Sequence, residues 1–392
     1  MKNFFYIASV FFSVLMFPFK SEAAELERMT TWKGTVSISE KITVPSGGIL
    51  KIQPGTKVIF HENGEMLCKN GTLDAEGAEF EADYRSEKHF FNFKSSKVKF
   101  KDCVFRNMYP GKAHFSYNRN KSFFFMFYGS LTMTGCAIDK SSGIHLVWLG
   151  KALIEDNSFS DIYQRALTLQ ICRNSVICRN SFNAGKDTTE TILLNCVENS
   201  SIIMNRFQGK AIALIIRGKS HHNNIIANSI FMPSTGIHVD GPAWNNIFLS
   251  NLVYKPSSTA FNFKESGKSN LILNCVSWGS EGVGFSIGKT EGIILRNSVS
   301  ANGKYGIVIS NNAQNPLVEY NLVWNNKYDK KGALELLKSS KNIVADPLFA
   351  DPENANFRPR AKFMEYPDDS VLIGSGFPQG SNIGLYPGGF HK

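Results

Sequence analysis

Short runs in which apolar and polar residues alternate recur along the chain. They include 144–146, 167–169, 214–216, 237–239, 261–263, 285–287 and 307–309. Each reads as a short strand with one face turned inward. A polar turn follows, then a second short strand, at 224–226, 246–248, 270–272 and 292–294 in successive units. That strand leads into an Asn, and a third, very short strand comes next. The Asn residues stand at 157, 180, 205, 228, 251, 274, 297 and 321, at spacings of 23, 25, 23, 23, 23, 23 and 24. Three strands in about 23 residues leave no room for a helix.

This pattern predicts an all-β fold: a right-handed parallel β-helix of roughly ten coils of about 23 residues, three short strands per coil, capped at both ends. A single coil cannot bury its apolar side, so coils stack on a shared core. The Asn positions are expected to form an internal ladder at one bend, each amide bonding the next. Seven steps of ~4.8 Å make it roughly 34 Å long. A propeller blade needs about twice this period, and a leucine-rich repeat needs its own Leu pattern. Residues 98–105 and 131–138 fit the same coil, with Cys103 and Cys136 in the Asn position. An insertion at 106–122 carries Tyr109, His114, Phe115 and Tyr117. The expected divisions are an N-terminal cap and first coils over 24–97, repeats over 98–345, and a Pro- and Gly-rich C-terminal cap over 346–392 that covers the last coil.

The first 23 residues stand apart. Lys2 precedes an apolar run from Phe4 to Phe19, and Ser21 and Ala23 place small residues at −3 and −1 of a cleavage site. This is expected to be a secretory signal peptide rather than a membrane anchor, because the run is short and a cleavage site follows it. The protein is therefore expected in the periplasm or outside the cell, without membrane association after cleavage, and as a monomer. The 392 residues are 43% hydrophobic, which excludes global disorder, and seven Cys are too few for a disulfide-built scaffold. Only 19% are charged, but the formal net charge is +10. Removing Lys2, Lys20 and Glu22 leaves about +9. That excess suits an anionic partner, and export makes nucleic acid the least suited of them.

The repeated coil, the opening Gly-Gly-Ile-Leu-Lys-Ile-Gln-Pro-Gly-Thr from Gly47, Asp346 to Phe349 and Ser381 to Tyr386 resemble the right-handed β-helix repeat branch of the pectin-lyase-like superfamily. The resemblance covers roughly 31–392 and implies the fold. Its members include polysaccharide lyases, hydrolases, uronate epimerases, adhesins and proteins without known activity, so fold alone does not select a function. The polygalacturonase motifs and the Asp-Pro-His-Asp motif of alginate epimerases are absent, so no catalytic residue carries over.

In that superfamily the substrate usually lies across the first strand of each coil. Alternation turns Gln170, Asn195, Arg217, Asp240 and Lys264 outward on five successive coils, with His238 and Asn262 beside them. Trp244 and Tyr254 follow further round the coil, and Trp148 and Trp278 are further candidates for stacking on sugar rings. Breaking a polyuronate by β-elimination needs a base and a cation that stabilises the developing charge. Lys264 or His238 is the candidate base, and Arg217 is the carboxylate-neutralising catalytic group. Asp240, Asn195, Gln170, Asn262, Trp244 and Tyr254 are the candidate substrate-binding residues. An epimerase needs the same parts and a proton donor on the opposite sugar face. Glycoside hydrolysis needs two flanking carboxyl groups, where this face clearly supplies only Asp240.

The sequence leaves three readings open: an enzyme on an acidic polysaccharide, a non-catalytic polysaccharide binder, and a structural surface protein in which Arg217, Asp240 and Lys264 form a solvated ion ladder. Zinc-ligand spacings are absent, and no acidic cluster calls for calcium, so no cofactor or metal is expected. Cys172 with Cys196, or Cys103 with Cys136, stand at matching places on neighbouring coils as disulfides or as stacked free thiols.

Overall fold

The computed structural model describes residues 24–83, 89–109, 122–332 and 341–385. The expected signal peptide and most of the 106–122 insertion lie outside them. Every coil lays its strands in parallel register on the coil before. On the first face, 124–127, 144–147, 167–170, 192–195, 214–217 and 237–240 follow one another. A second and a third face stack in the same way, for example 201–203 on 176–178 and 206–208 on 181–183. The solenoid has about 12 turns, slightly more than expected. The additional turns come from 24–97, where 24–25, 41–44 and 66–69 already stand in the first-face ladder.

Inward side chains form one continuous core from Trp32 to Val323. Its N-terminal end is packed with Phe60, Phe80, Phe91, Phe100, Phe105 and Phe124, mostly edge to face. Further along, the same inward position on successive coils carries Phe159, Phe182 and Phe207, stacked at 4.8 and 5.0 Å. Such ring pairs add about 0.5–1.5 kcal/mol each beyond their area.

A parallel coil must turn sharply and still satisfy its buried amides. At the bend after the second strand, one residue per coil takes left-handed backbone: Asp156, Arg179, Met204, Ala227, Ser250, Asn274, Asn297 and Tyr320, with φ of 51–56°. The residue after it points inward. Asn157, Asn180, Asn205, Asn228 and Asn251 occupy that place, the side-chain amides of the first four each donating to the next Asn Oδ1 at 2.9–3.1 Å. The ladder then departs from expectation. Asn274 and Asn297 fall one residue early, at the left-handed position that Asn tolerates well. Cys275 and Ser298 take the inward place, and the ladder resumes at Asn321 and Asn342. A second ladder, not anticipated, runs along another bend through Ser175, Ser200, Asn223, Asn246 and Asn270.

The two displaced amides have a different role. Asn274 donates to the Asn382 carbonyl at 2.9 Å, and Asn297 exchanges two hydrogen bonds with Phe377. Through these contacts the C-terminal segment is held along the third face. Phe349, Phe357, Leu372 and Ile383 pack on Leu252, Tyr254, Val276, Trp278, Val299, Ala301 and Leu322. The segment expected to cover the last coil thus clads the flank of four coils. All seven cysteines are free thiols. Cys103 and Cys136 occupy the ladder position as expected, and the Asn157 side chain accepts from the Cys136 amide at 2.8 Å.

Asn205→Ala removes two donated bonds and leaves buried Asn180 groups without an acceptor, so it is expected to destabilise the protein by about 2–4 kcal/mol in denaturant unfolding. Asn274→Ala is expected to cost less and to speed proteolytic cleavage within 346–385, leaving the coils resistant.

Candidate functional site

The first face brings most of the sequence candidates together. Asn195 pairs with Gln170, Arg217 with Asn195, Asp240 with Arg217, and Asn262 with His238. Gln170, Asn195, Arg217, Asp240, His238 and Asn262 are half-buried, and Lys264, just beyond its strand, is exposed. An Arg217–Asp240–Lys264 ion ladder does not form. Arg217 reaches back to Glu190, with Nη2 3.8 Å from Oε1, and the other Glu190 oxygen holds Arg165 Nε. Among the described residues, Asp240 and Lys264 have no ion-pair partner.

Arg165 and Glu190 were not candidates in the sequence. Counted back from Leu167 and Ile192, alternation gives both the inward parity. In the structure they stand at the corner where the chain enters the face, and alternation fails there: the 142–147 strand shifts register against 163–170 between Ser142 and Ile144. The unequal 25-residue spacing between Asn180 and Asn205 was the available signal. The pair is only 21% and 16% exposed, so its charges are partly desolvated and interact more strongly than a surface pair.

Beside Arg165 lies a pocket lined by Ser122, His145, Tyr163, Gln164, Arg165 and Thr168. His145 stands beside Gln170, and its buried Nε2 has no hydrogen-bond partner. Burial pulls the His145 pKa from the ordinary 6.5 to about 4, so the ring is neutral at pH 7. His238 is also lowered, first by burial, with nearby Asp240 opposing and Arg217 and Lys264 reinforcing. Its Nδ1 accepts from the Asn262 amide at 3.0 Å, which places the ring proton on Nε2. His238 therefore presents a donor, whereas the buried His145 Nε2 is left without a partner.

The aromatic candidates separate. Trp244 stacks on His221 at 4.3 Å, in the turn beyond the face. Tyr254 is buried on the third face, its hydroxyl donating to the Glu353 carbonyl at 2.7 Å, and Trp278 is buried beside it. Neither ring is available to a ligand on the first face. Trp148 is exposed, at the corner that borders the face.

Residues 190–347 match the family model described as right handed beta helix region, and 107–257 match that described as periplasmic copper-binding protein (NosD). No curated protein matches the sequence. Among solved structures, the chain is similar to the periplasmic alginate epimerase AlgG, at 13% identity and a TM-score of 0.58 over 78% of this chain and 76% of that one. It is also similar to the pectate lyase Pel9A, at 10% identity and a TM-score of 0.51 over 88% of each chain. At these identities the likeness is one of fold. Among the described residues, no three His, Cys, Asp or Glu side chains are placed to hold a metal ion. Continuous parallel ladders, inward Asn stacks and these matches together make the chain a right-handed parallel β-helix repeat protein.

Proposed function

We propose that the mature chain is exported, binds an acidic polysaccharide along its first face, and removes a proton beside a uronate carboxylate in the His145 pocket. One observation carries this reading. The pocket joins an unpartnered imidazole nitrogen, the Tyr163 phenol and the Arg165 guanidinium at the head of a face that continues through Arg217 and Lys264. The named activities of the two fold neighbours, alginate epimerisation and pectate cleavage, agree with a polysaccharide substrate. The neighbour and the family described as periplasmic agree with export.

In this mechanism Arg165 or Arg217 neutralises the sugar carboxylate and makes the neighbouring C–H more acidic. His145 Nε2 takes the proton. In elimination, the C–H electron pair forms a C=C bond and the glycosidic C–O bond breaks, with the Tyr163 hydroxyl protonating the leaving oxygen. In epimerisation, a proton returns to the opposite face of the same carbon. Lys264 and Asp240 contact the polymer further along. The engagement of His238 Nδ1 by Asn262 favours His145 over His238 as the base.

Incubation with a panel of polyuronates is expected to raise ultraviolet absorbance from unsaturated ends, or to exchange solvent deuterium into the sugar, and His145→Gln is expected to abolish either signal. Arg217→Ala and Lys264→Ala should each weaken polyuronate binding about 3- to 10-fold. If both leave binding and turnover unchanged, the face is not the site. Glu190→Gln frees two guanidinium groups and should tighten binding, with a steeper loss of affinity as salt rises. The pH dependence has a fixed sign. The folded His145 pKa lies below the unfolded 6.5, so the unfolded state binds more protons between pH 6.5 and about 4. Stability is complete above pH 6.5 and falls as pH drops towards 4. His145→Gln should reduce the drop in melting temperature between pH 7 and pH 4.5. N-terminal sequencing of the exported protein should begin at Ala24.

A further inference from the structure

The corner between the first and second faces holds left-handed backbone on successive coils. Gly218 and Gly241 occupy it beside Arg217 and Asp240, with φ of 61° and 79°. Glycine suits that conformation. Towards the N-terminus the same corner carries Cys196 and Ile171, with φ of 55° and 54°, and then Trp148 and Tyr128, each with φ of 59°. The corner thus takes side chains as well as glycine, with some backbone strain for a bulky one. Burial does not account for the choice, because Trp148 is 42% and Tyr128 44% exposed. The two rings are neighbours, with centroids 6.1 Å apart and planes inclined by 31°. Phe127 steadies Tyr128 edge-on at 4.4 Å. Two exposed rings thus stand side by side at this corner.

Their position gives this arrangement a use. Trp148 follows Val147, which lies in register with Gln170, Asn195 and Arg217. The rings therefore border the polar column at its N-terminal end, on the coil that supplies His145. Three coil steps of ~4.8 Å put the Trp148 coil roughly 14 Å from the Arg217 coil.

Resting on the polysaccharide reading above, we propose that Tyr128 and Trp148 form a platform that takes the apolar face of a pyranose ring at one end of the polymer track, while carboxylates of the same polymer meet Arg217 and Lys264. The platform fixes where a chain enters relative to the His145 pocket, and it favours oligomers long enough to reach both ends.

Trp148→Gly is the informative variant, because glycine relieves the backbone and the protein should melt at the same or a higher temperature. Its affinity for long oligouronates is expected to fall about tenfold, while short oligomers lose less. Trp148→Phe should keep most of the affinity. In the native protein, saturating oligouronate should shift tryptophan emission, and Trp148→Phe should remove that shift. Full affinity for long oligouronates in both Trp148→Gly and Tyr128→Ala, with Arg217→Ala still weakened, would overturn the platform and leave the polysaccharide reading standing. Absence of binding to every acidic polymer by the native protein would overturn both.

Discussion

A parallel solenoid turns three times per coil, and each turn buries peptide groups that the strand ladders do not reach. Unpartnered, each group would cost roughly 1–3 kcal/mol. The inward Asn, Ser and Cys columns meet that requirement. Asn180 illustrates the economy of the arrangement: its amide donates to the Asn205 side chain and to the Ile154 carbonyl, while its oxygen accepts from Asn157. Because each ladder residue serves the coils on either side, coil spacing and strand register follow from it. The outward columns of the first face inherit that register, so the placement of Arg217 beside Asp240 descends from amides on the opposite side of the core.

The first face differs from a simple charged strip in how its charges are shared. Glu190 lies between two guanidinium groups and partly spends both, whereas Asp240 and Lys264 remain available. The two imidazoles differ in the same way: one has its lone pair engaged by an amide, and the other keeps a buried nitrogen without a partner.

Much of this was legible in the sequence, because a period near 23 residues with an Asn at each bend has few structural solutions. The ladder was misread where the chain slips: Asn274 and Asn297 keep the spacing but sit in the left-handed position, and spacing alone cannot tell the bend residue from the one after it. Gln170, Asn195, Arg217 and Asp240 were legible because alternation holds inside a strand. Arg165 and Glu190 were not, because alternation ends at a corner. Tyr254 has the pattern of an exposed ring and is covered by Phe357, about a hundred residues later, a contact that no local pattern contains.

The flank cladding changes how the molecule behaves as a repeat array. In a bare solenoid each coil is coupled only to its neighbours, so ends fray and interior coils open one at a time. Here a single segment touches coils from Leu252 to Leu322 at once, and Lys255 pairs with Glu353 at 2.8 Å across the join. Opening any one of those coils also disturbs contacts made by the others. The coils from Leu252 to Leu322 therefore act as one cooperative block that closes only after residues 346–385 have docked, whereas the Phe-rich N-terminal coils can assemble without them.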